Sequence, residues 1–190
     1  DTTHFNVVDE DGMAVSFTYT LNFSYGSGFV SPGTGFLLNN EMDDFNAKPG
    51  EPNAYGLIGS AANDVEAGKR PLSSMTPTLV TKNKRFYAAL GAPGGSRIIN
   101  GVFQATLDLL GYGLNAQTAV TMPRIHHQWY PDVISYEFGI SADTVDLLES
   151  WGHKCEPIYA VAHVLAIVRD QDGHLEAGLD PRRPAYAEGY

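Results

Sequence analysis

The stretch from residue 2 to residue 21, TTHFNVVDEDGMAVSFTYTL, decides the fold at the start of this chain. Residues 13–21 alternate between apolar and small or polar side chains, and residues 3–8 alternate in the same way, which is typical of β-strands. Between them, Glu10-Asp11-Gly12 supplies a turn, because glycine adopts the left-handed conformation that a three-residue hairpin loop requires. The pattern therefore predicts an antiparallel hairpin.

The length of the loop fixes the register of this hairpin. A three-residue loop pairs Val7 with Val15 and Phe5 with Phe17, so apolar residues face apolar residues. A two-residue loop would shift the register by one and mix the two faces of the strands. The consistent register also pairs Thr2 with Thr20. The sequence thus predicts two threonine hydroxyls opposite each other at the beginning of the first strand.

The rest of the chain alternates between loops, strands and helices. Residues 26–62 are rich in Gly, Pro, Asn and Ser and predict loops around one short strand. Strands at both ends of the chain and helices in the middle indicate the α+β class, with sheets packed face to face and a helical layer outside. The predicted strands are 35–38, 78–81, 85–90, 133–138, 158–169 and 174–179, and the predicted helices follow residue 96 and cover 115–122 and 141–151.

Composition excludes several classes of function. The formal net charge is −10 and Lys and Arg do not cluster, which argues against nucleic-acid binding. No apolar run is long enough to predict a membrane span. The single cysteine, Cys155, excludes a disulfide within the chain. His126 and His127 would point to opposite faces of a strand, and we therefore predict neither a metal site nor a cofactor.

An ordered set of motifs along the whole chain resembles the small, catalytic subunit of the γ-glutamyltransferase family. This resemblance implies an αββα four-layer sandwich of the N-terminal nucleophile hydrolase type. It also implies that residues 1–190 form a single domain, the small subunit of a processed heterodimer. The motifs are TTHF from residue 2, TYTLN from 18, LNNEMDDF from 38, KRPLSSMTPT from 69, GAPGGS from 91, PRIHHQW from 123, DPR from 180, and the closing Gly189-Tyr190.

The resemblance implies the following catalytic groups. Thr2 is the nucleophile after the precursor cleaves itself before this residue, and Thr20 hydrogen-bonds the nucleophile. The freed α-amine of Thr2 is the general base, since an α-amine has a pKa of about 7.7–8.0. Gly94 and Gly95 form the oxyanion hole, with backbone N–H groups at the start of a helix.

The resemblance also implies a set of substrate-binding residues. Two carboxylates and an amide would bind the α-ammonium group of a γ-glutamyl substrate. A hydroxyl pair would help to bind its α-carboxylate, and a lid over residues 49–60 would cover it with a tyrosine. In this chain the ammonium-binding residues are Asn22, Glu41 and Asp44, the hydroxyl pair is Ser73 and Ser74, and the lid residue is Tyr55.

The expected activity is cleavage of the γ-glutamyl amide of glutathione and related compounds, with transfer to water, an amino acid or a dipeptide. The expected partner is a large subunit from the same precursor, in the periplasm or outside the cell. Alternatives are a cephalosporin-acylase-like or poly-γ-glutamate-processing relative, or an unprocessed inactive form that retains Asp1. Around Leu165, where the family usually has a glutamine, we expect altered packing or subunit contacts.

Overall fold

A computed structural model describes residues 1–189; Tyr190, which closes the last motif, lies outside the described residues. Among residues 1–189, no helix is both long enough and apolar enough to cross a membrane. The described elements are β1 Thr2–Val8, β2 Ala14–Thr20, β3 Thr78–Lys82, β4 Arg85–Gly91, α1 Ile98–Leu110, α2 Ala116–Thr121, β5 Ile125–His126, β6 Ile134–Glu137, α3 Ala142–Ser150, β7 Cys155–Ile158, β8 Leu165–Arg169 and β9 Leu175–Leu179.

The first two strands form the hairpin in the predicted register. Thr2 lies opposite Thr20, and Phe5 lies opposite Phe17. Gly12 has a φ of 85°, the left-handed conformation that the loop requires. The register prediction is therefore confirmed, including the threonine pair at the start of β1.

The hydrophobic core lies between a four-stranded sheet and two helices. The antiparallel sheet has the order β3-β4-β8-β9. Leu90 of β4, Val102 of α1, Val120 of α2 and Ala166 of β8 belong to one buried cluster. The hairpin packs on the other face of this sheet. The α+β class is thus confirmed, with hairpin, sheet and helices as three successive layers of the expected sandwich.

The hairpin turns its polar face towards the sheet. Asn6 Nδ2 donates to the carbonyl of Leu165 at 3.1 Å, and Ser16 Oγ donates to the carbonyl of Leu90 at 2.9 Å. His4 lies so close to Gly91 that a Cβ there would be 2.1 Å from the imidazole Cε1. The opposite, apolar face of the hairpin stays half exposed and consists of Phe5, Val7, Val15, Phe17 and Tyr19.

Two predicted strands were wrong. Residues 35–38 contribute only an isolated bridge between Val30 and Leu37. The strand predicted at 158–169 is interrupted: β7 pairs in parallel with β6 in a separate sheet of order β5-β6-β7, and β8 joins the four-stranded sheet. Residues 161–164 between them find their hydrogen-bond partners outside any sheet, and sequence alternation does not reveal such partners.

Buried charges supply several of these partners. Val161 N–H donates to Glu137 Oε1 at 2.6 Å, and Val164 N–H donates to Asp180 Oδ2 at 2.9 Å. Arg124 Nη1 donates to the carbonyl of Ala162 at 2.9 Å. Burial alone would raise the pKa of Asp180, but Arg124 at 2.7 Å and the hydrogen bonds around the carboxylate lower it. The segment before Leu165 is therefore part of the core.

Candidate active site

One narrow cleft brings together nearly all the residues that the sequence singled out. It lies between the open end of the hairpin, the loop after residue 40, the lid, the serine segment and the start of α1. Gly94 is the one predicted residue that does not line it, although its neighbour Gly95 does. The lining residues are Thr2, Thr20, Asn22, Glu41, Asp44, Tyr55, Leu57, Leu72, Ser73, Ser74, Met75, Gly95, Ser96 and Ile98.

The two threonine hydroxyls are in direct contact at one end of the cleft. Thr2 Oγ1 lies 2.9 Å from Thr20 Oγ1. Thr20 Oγ1 also accepts a hydrogen bond of 2.8 Å from the N–H of Asn22. With one lone pair of its oxygen occupied in this way, Thr20 is well placed to donate its own proton to Thr2. Such a bond would stabilise negative charge that develops on the Thr2 oxygen.

Two carboxylates give the cleft its negative charge. Burial raises the pKa of Glu41, and the charge of Asp44 raises it further. Burial also raises the pKa of Asp44, followed by the effect of Asp43. Glu41 Oε2 is buried and has no hydrogen-bond partner among the described residues. Two partly desolvated carboxylates in one cleft suit a bound cation, which would relieve their repulsion.

Tyr55 lies over the cleft on the loop of residues 49–60, the predicted lid, and reaches Asn22. Burial, followed by the charges of Asp44 and Glu41, raises the pKa of Tyr55, so its hydroxyl remains protonated. This hydroxyl donates to Asn22 Oδ1 at 2.6 Å. Asn22 has a φ of 70°, a left-handed conformation that asparagine tolerates better than most residues. Asn22 Nδ2 donates to the carbonyl of Asn40 at 3.2 Å, so the amide bridges the lid and the acidic loop.

Gly94 and Gly95 precede α1, where helix geometry exposes N–H groups. Gly95 has a φ of 61°, and Gly94 has a φ of 155° and lies close to Ala162. Within residues 1–189, neither glycine N–H donates a hydrogen bond to a backbone carbonyl. A Cβ on Gly95 would lie 2.8 Å from Tyr55 Cε1, so only glycine lets the tyrosine ring approach so closely. The role of these glycines as an oxyanion hole stays a prediction.

Ser73 and Ser74 lie on a segment that a buried asparagine ties to the acidic loop. Asn63 Nδ2 donates to the carbonyl of Asp44 at 2.7 Å, and Asn63 Oδ1 accepts from the N–H of Leu72 at 3.0 Å. Sequence reasoning missed Asn63, because an asparagine in a polar loop gives no signal of burial. It also missed Ser96, although this residue directly follows the two glycines.

The cleft is partly open to solvent, and its enclosed part is small, about 30 Å³. Tyr55 covers this part, and we expect it to move when a substrate enters. Asp170, Asp172 and His174 form a group with ligand atoms within 4.8 Å of one another, but they lie in the β8–β9 turn and not in this cleft.

Comparison with known proteins gives a consistent result. The family model described as gamma-glutamyltranspeptidase matches residues 1–190. The glutathione hydrolase proenzyme of Escherichia coli is 51% identical over 181 residues, which are 95% of this chain and 31% of that protein. The chain spans about a third of the length of the curated relatives it matches first.

Solved structures show the same similarity. A crystal structure of Helicobacter pylori gamma-glutamyltranspeptidase, a T380A mutant, superimposes with a TM-score of 0.91 at 48% identity and covers 95% of this chain and 100% of that chain. A cephalosporin acylase from Bacillus halodurans gives a TM-score of 0.75 at 28% identity, over 93% of this chain and 32% of that chain.

Proposed function

The chain belongs to the gamma-glutamyltranspeptidase family, and we propose that it carries the catalytic centre for γ-glutamyl transfer and hydrolysis in the longer protein. The observation that carries this proposal is the contact of 2.9 Å between Thr2 Oγ1 and Thr20 Oγ1 in a cleft with two carboxylates. The cleft would then combine three groups within the length of one γ-glutamyl substrate: a threonine nucleophile, an anion-stabilising glycine pair and a cation-binding carboxylate pair.

The first chemical step is attack by Thr2 Oγ on the γ-carbonyl carbon of the substrate. The α-amine of Thr2 accepts the hydroxyl proton, and the N–H groups of Gly94 and Gly95 stabilise the tetrahedral oxyanion. The C–N bond of the γ-glutamyl amide then breaks, and the leaving amine takes the proton. The product is a γ-glutamyl ester on Thr2, which water or an acceptor amine cleaves to restore the hydroxyl.

Substrate orientation depends on the acidic loop. Glu41 and Asp44 would bind the α-ammonium group. Burial raises the pKa of both groups, and a bound cation would stabilise their negative charge. Asn22 would assist them with its amide, held by the Tyr55 hydroxyl. Ser73 and Ser74 would face the α-carboxylate. This arrangement would place the γ-carbonyl, at the other end of the glutamyl chain, near Thr2.

Attack by the same hydroxyl on the Asp1 carbonyl carbon would move the Asp1 acyl group from the Thr2 nitrogen to the Thr2 oxygen, and water would then hydrolyse this ester, leaving Thr2 with a free α-amine and a free hydroxyl. The carbonyl of Asp1 accepts hydrogen bonds from the N–H of Leu21 at 3.3 Å and from Thr20 Oγ1 at 3.4 Å. Before cleavage the single Thr20 proton would point to this carbonyl and not to Thr2, so both donors would polarise the carbonyl for attack by Thr2. Until that bond is cleaved, Thr2 has no free amine and the unprocessed form is inactive.

The partner would be a large subunit from the same precursor, which fits the proenzyme names of the relatives. The half-exposed apolar face of the hairpin supports this, since large contiguous apolar patches usually mark an interface. Glutathione and related compounds would be donors, and amino acids or dipeptides acceptors. Location in the periplasm or outside the cell stays a prediction.

The alternative activities differ in what they need from Asp44. An acylase acting on a glutaryl amide has no α-ammonium group to bind, and a poly-γ-glutamate-processing enzyme needs an open cleft. The carboxylate pair and the covering Tyr55 favour the γ-glutamyl donor over both.

The proposed function is tested by substituting Asp44→Ala in the complete protein. Loss of one partner of a buried charged hydrogen bond typically costs about 2–5 kcal/mol, a factor of roughly 30 to several thousand. We expect kcat/KM for a γ-glutamyl anilide to fall by this factor, and kcat/KM for the matching glutaryl anilide to change little. Steady-state kinetics with both donors measure the difference.

Asp43→Asn is the matched control, because Asp43 lies next to Asp44 and its Oδ2 only accepts the N–H of Ala54. This variant keeps an acceptor oxygen and should affect neither donor strongly. Equal losses of the two donors in Asp44→Ala would mean that Asp44 holds the loop, and the acylase-like alternative would then be preferred.

A further inference from the structure

The PRIHHQW motif is a prominent part of the sequence that the proposed chemistry does not use. Its glutamine, Gln128, lies against the lid. Gln128 Nε2 donates to the carbonyl of Tyr55 at 3.1 Å and to the carbonyl of Tyr130 at 3.2 Å. Gln128 Oε1 lies 3.0 Å from Ser96 Oγ and 3.0 Å from His126 Nε2. One amide therefore connects the lid, the residue after the glycine pair, and β5.

His126 fixes the orientation of this amide. The imidazole is buried, and burial lowers the pKa of His126, so the ring is neutral and carries one proton. His126 Nδ1 has no hydrogen-bond partner among the described residues, which places the proton on Nε2, where it is donated to Gln128 Oε1. With the oxygen held there, both N–H groups of Gln128 point to the carbonyls.

The contact with Tyr55 matters because of what the tyrosine covers. The Tyr55 ring lies against Gly95, and its hydroxyl donates to Asn22 Oδ1. Gln128 holds the backbone of the same tyrosine and, through Ser96, the turn that presents Gly95. Gln128 therefore contacts both the backbone of Tyr55 and the turn that contains the glycine pair, and it sets the distance between them.

On the basis of the proposed function, we propose that Gln128 is a positioning residue that latches the lid closed and sets Tyr55 over the glycine pair. Tyr55 covers the cleft and its hydroxyl is bound to Asn22, so substrate entry must open the lid. The hydrogen bond from Gln128 to the Tyr55 carbonyl then breaks and re-forms in each cycle. The latch retains the glutamyl group once it is bound.

The test uses Gln128→Leu in the complete protein, with hydrogen exchange of the lid peptide 49–60 as a readout that needs no turnover. Each lost hydrogen bond contributes about 1 kcal/mol net, so the loss of one or two should increase the open population, and with it the exchange rate, by roughly 5- to 30-fold. Because the latch forms in both the free and the substrate-bound protein, entry and release of a γ-glutamyl donor should both become faster, and KM and kcat should change much less than the exchange rate.

Gln104→Leu is the matched control. Gln104 also links α1 to β5, since its Nε2 donates to the carbonyl of Ile125 at 2.8 Å and its Oε1 accepts from the N–H of Ile125 at 3.0 Å. It makes no hydrogen bond to the lid. Lid exchange in this variant should remain at the wild-type rate, even if the variant is less stable.

Gln128→Glu distinguishes the contacts of the side-chain oxygen from those of the side-chain nitrogen. It also replaces Gln128→Leu in the test if the leucine variant fails to fold. The carboxylate keeps two acceptors for Ser96 and His126, but it has no N–H to donate to Tyr55. We expect it to release the lid as Gln128→Leu does, while Ser96→Ala releases it much less. Unchanged lid exchange in both Gln128 variants, or equal acceleration in Gln104→Leu, would overturn the proposal. A wild-type protein without γ-glutamyl turnover would instead refute the proposed function, and the exchange comparison would still stand.

Discussion

At the scale of single residues, the proposed chemistry depends on the hydroxyl pair at the open end of the hairpin. Thr20 contacts Thr2 while it accepts the N–H of Asn22, so its position is fixed by the backbone of the next segment. A hydroxyl that is held in this way would orient the proposed nucleophile without the entropy cost of a mobile donor. The Thr20 hydroxyl thus has defined partners, in addition to the general preference of threonine for β-strands.

Thr20→Val should preserve the shape of the side chain and remove this hydrogen bond. Because charge develops on the Thr2 oxygen during attack, we expect kcat to fall by roughly 10- to 150-fold, as for loss of a hydrogen bond to a charged group. Single-turnover kinetics of the processed protein measure this step.

Thr18→Val is the control for the threonine pair. Thr18 lies two residues before Thr20 in β2, opposite His4, and its hydroxyl is 2.8 Å from His4 Nδ1. This variant should lower thermal stability and leave the acylation rate within a few-fold of wild type. Similar losses of acylation in both variants would mean that the hairpin as a whole, and not the Thr20 hydroxyl, supports the chemistry.

Local pattern was enough to predict the pairing of Thr2 with Thr20, because alternation and one glycine determine a hairpin register. It was not enough to predict Asn63 or Gln128. Both are polar residues whose importance comes from partners 9 or more positions away, such as Leu72 for Asn63 and Tyr55 for Gln128. Their roles are visible only once the loops are folded against one another.

At the scale of elements, the break between β7 and β8 shows where sequence reasoning fails. The run from residue 158 to 169 has the apolar character of a single strand, but its middle is buried in a layer of charges. Glu137, Asp180 and Arg124 bind the backbone of this segment directly. Long-range side-chain partners have replaced the neighbouring strand.

Arg124→Met tests this view of the segment. It removes a fully buried guanidinium and leaves Asp180 and the Ala162 carbonyl without that partner. Breaking a buried ion pair from one side typically costs about 3–5 kcal/mol, so we expect a large decrease in the free energy of unfolding. Chemical denaturation of the mature protein measures it.

Lys154→Met is the surface control, because Lys154 and Glu156 form an exposed ion pair at 2.7 Å. Exposed pairs contribute only about 0–1 kcal/mol. If Arg124→Met were as mild as this control, the buried charges would not be what holds residues 161–164 in place.

At the scale of the whole molecule, the hairpin has the opposite orientation to the one expected for a simple hydrophobic core. Its polar face, with His4, Asn6 and Ser16, packs on the sheet, and its apolar face lies outside. Alternation predicts that a strand has two different faces but not which of them is inward. An apolar outer face becomes understandable if the proposed large subunit covers it.

Phe17→Glu should therefore impair assembly of the mature protein. Phe17 is 46% exposed in this chain, and burial of a phenylalanine side chain typically contributes about 1.5–3 kcal/mol. We expect association of the two subunits to weaken by roughly 10- to 150-fold, measured by dissociation on dilution in size-exclusion chromatography.

Phe138→Glu serves as the control for this interface, since Phe138 is 76% exposed and directly follows β6, which belongs to a different sheet from the hairpin. It should assemble normally. A Phe17→Glu protein that matures and remains associated as well as wild type would remove the main structural support for the partner.

The most direct test of the central claim is the mass of the catalytic chain when active protein is quenched during turnover of a γ-glutamyl donor. We expect a chain that begins at Thr2, with Asp1 left at the end of the preceding segment. Part of this chain should carry one γ-glutamyl group, and peptide mapping should place that group on the Thr2 oxygen. The Thr2→Ala protein should remain uncleaved and unlabelled. A fully active, homogeneous chain that retains Asp1, or a glutamyl group on any other residue, would contradict the mechanism.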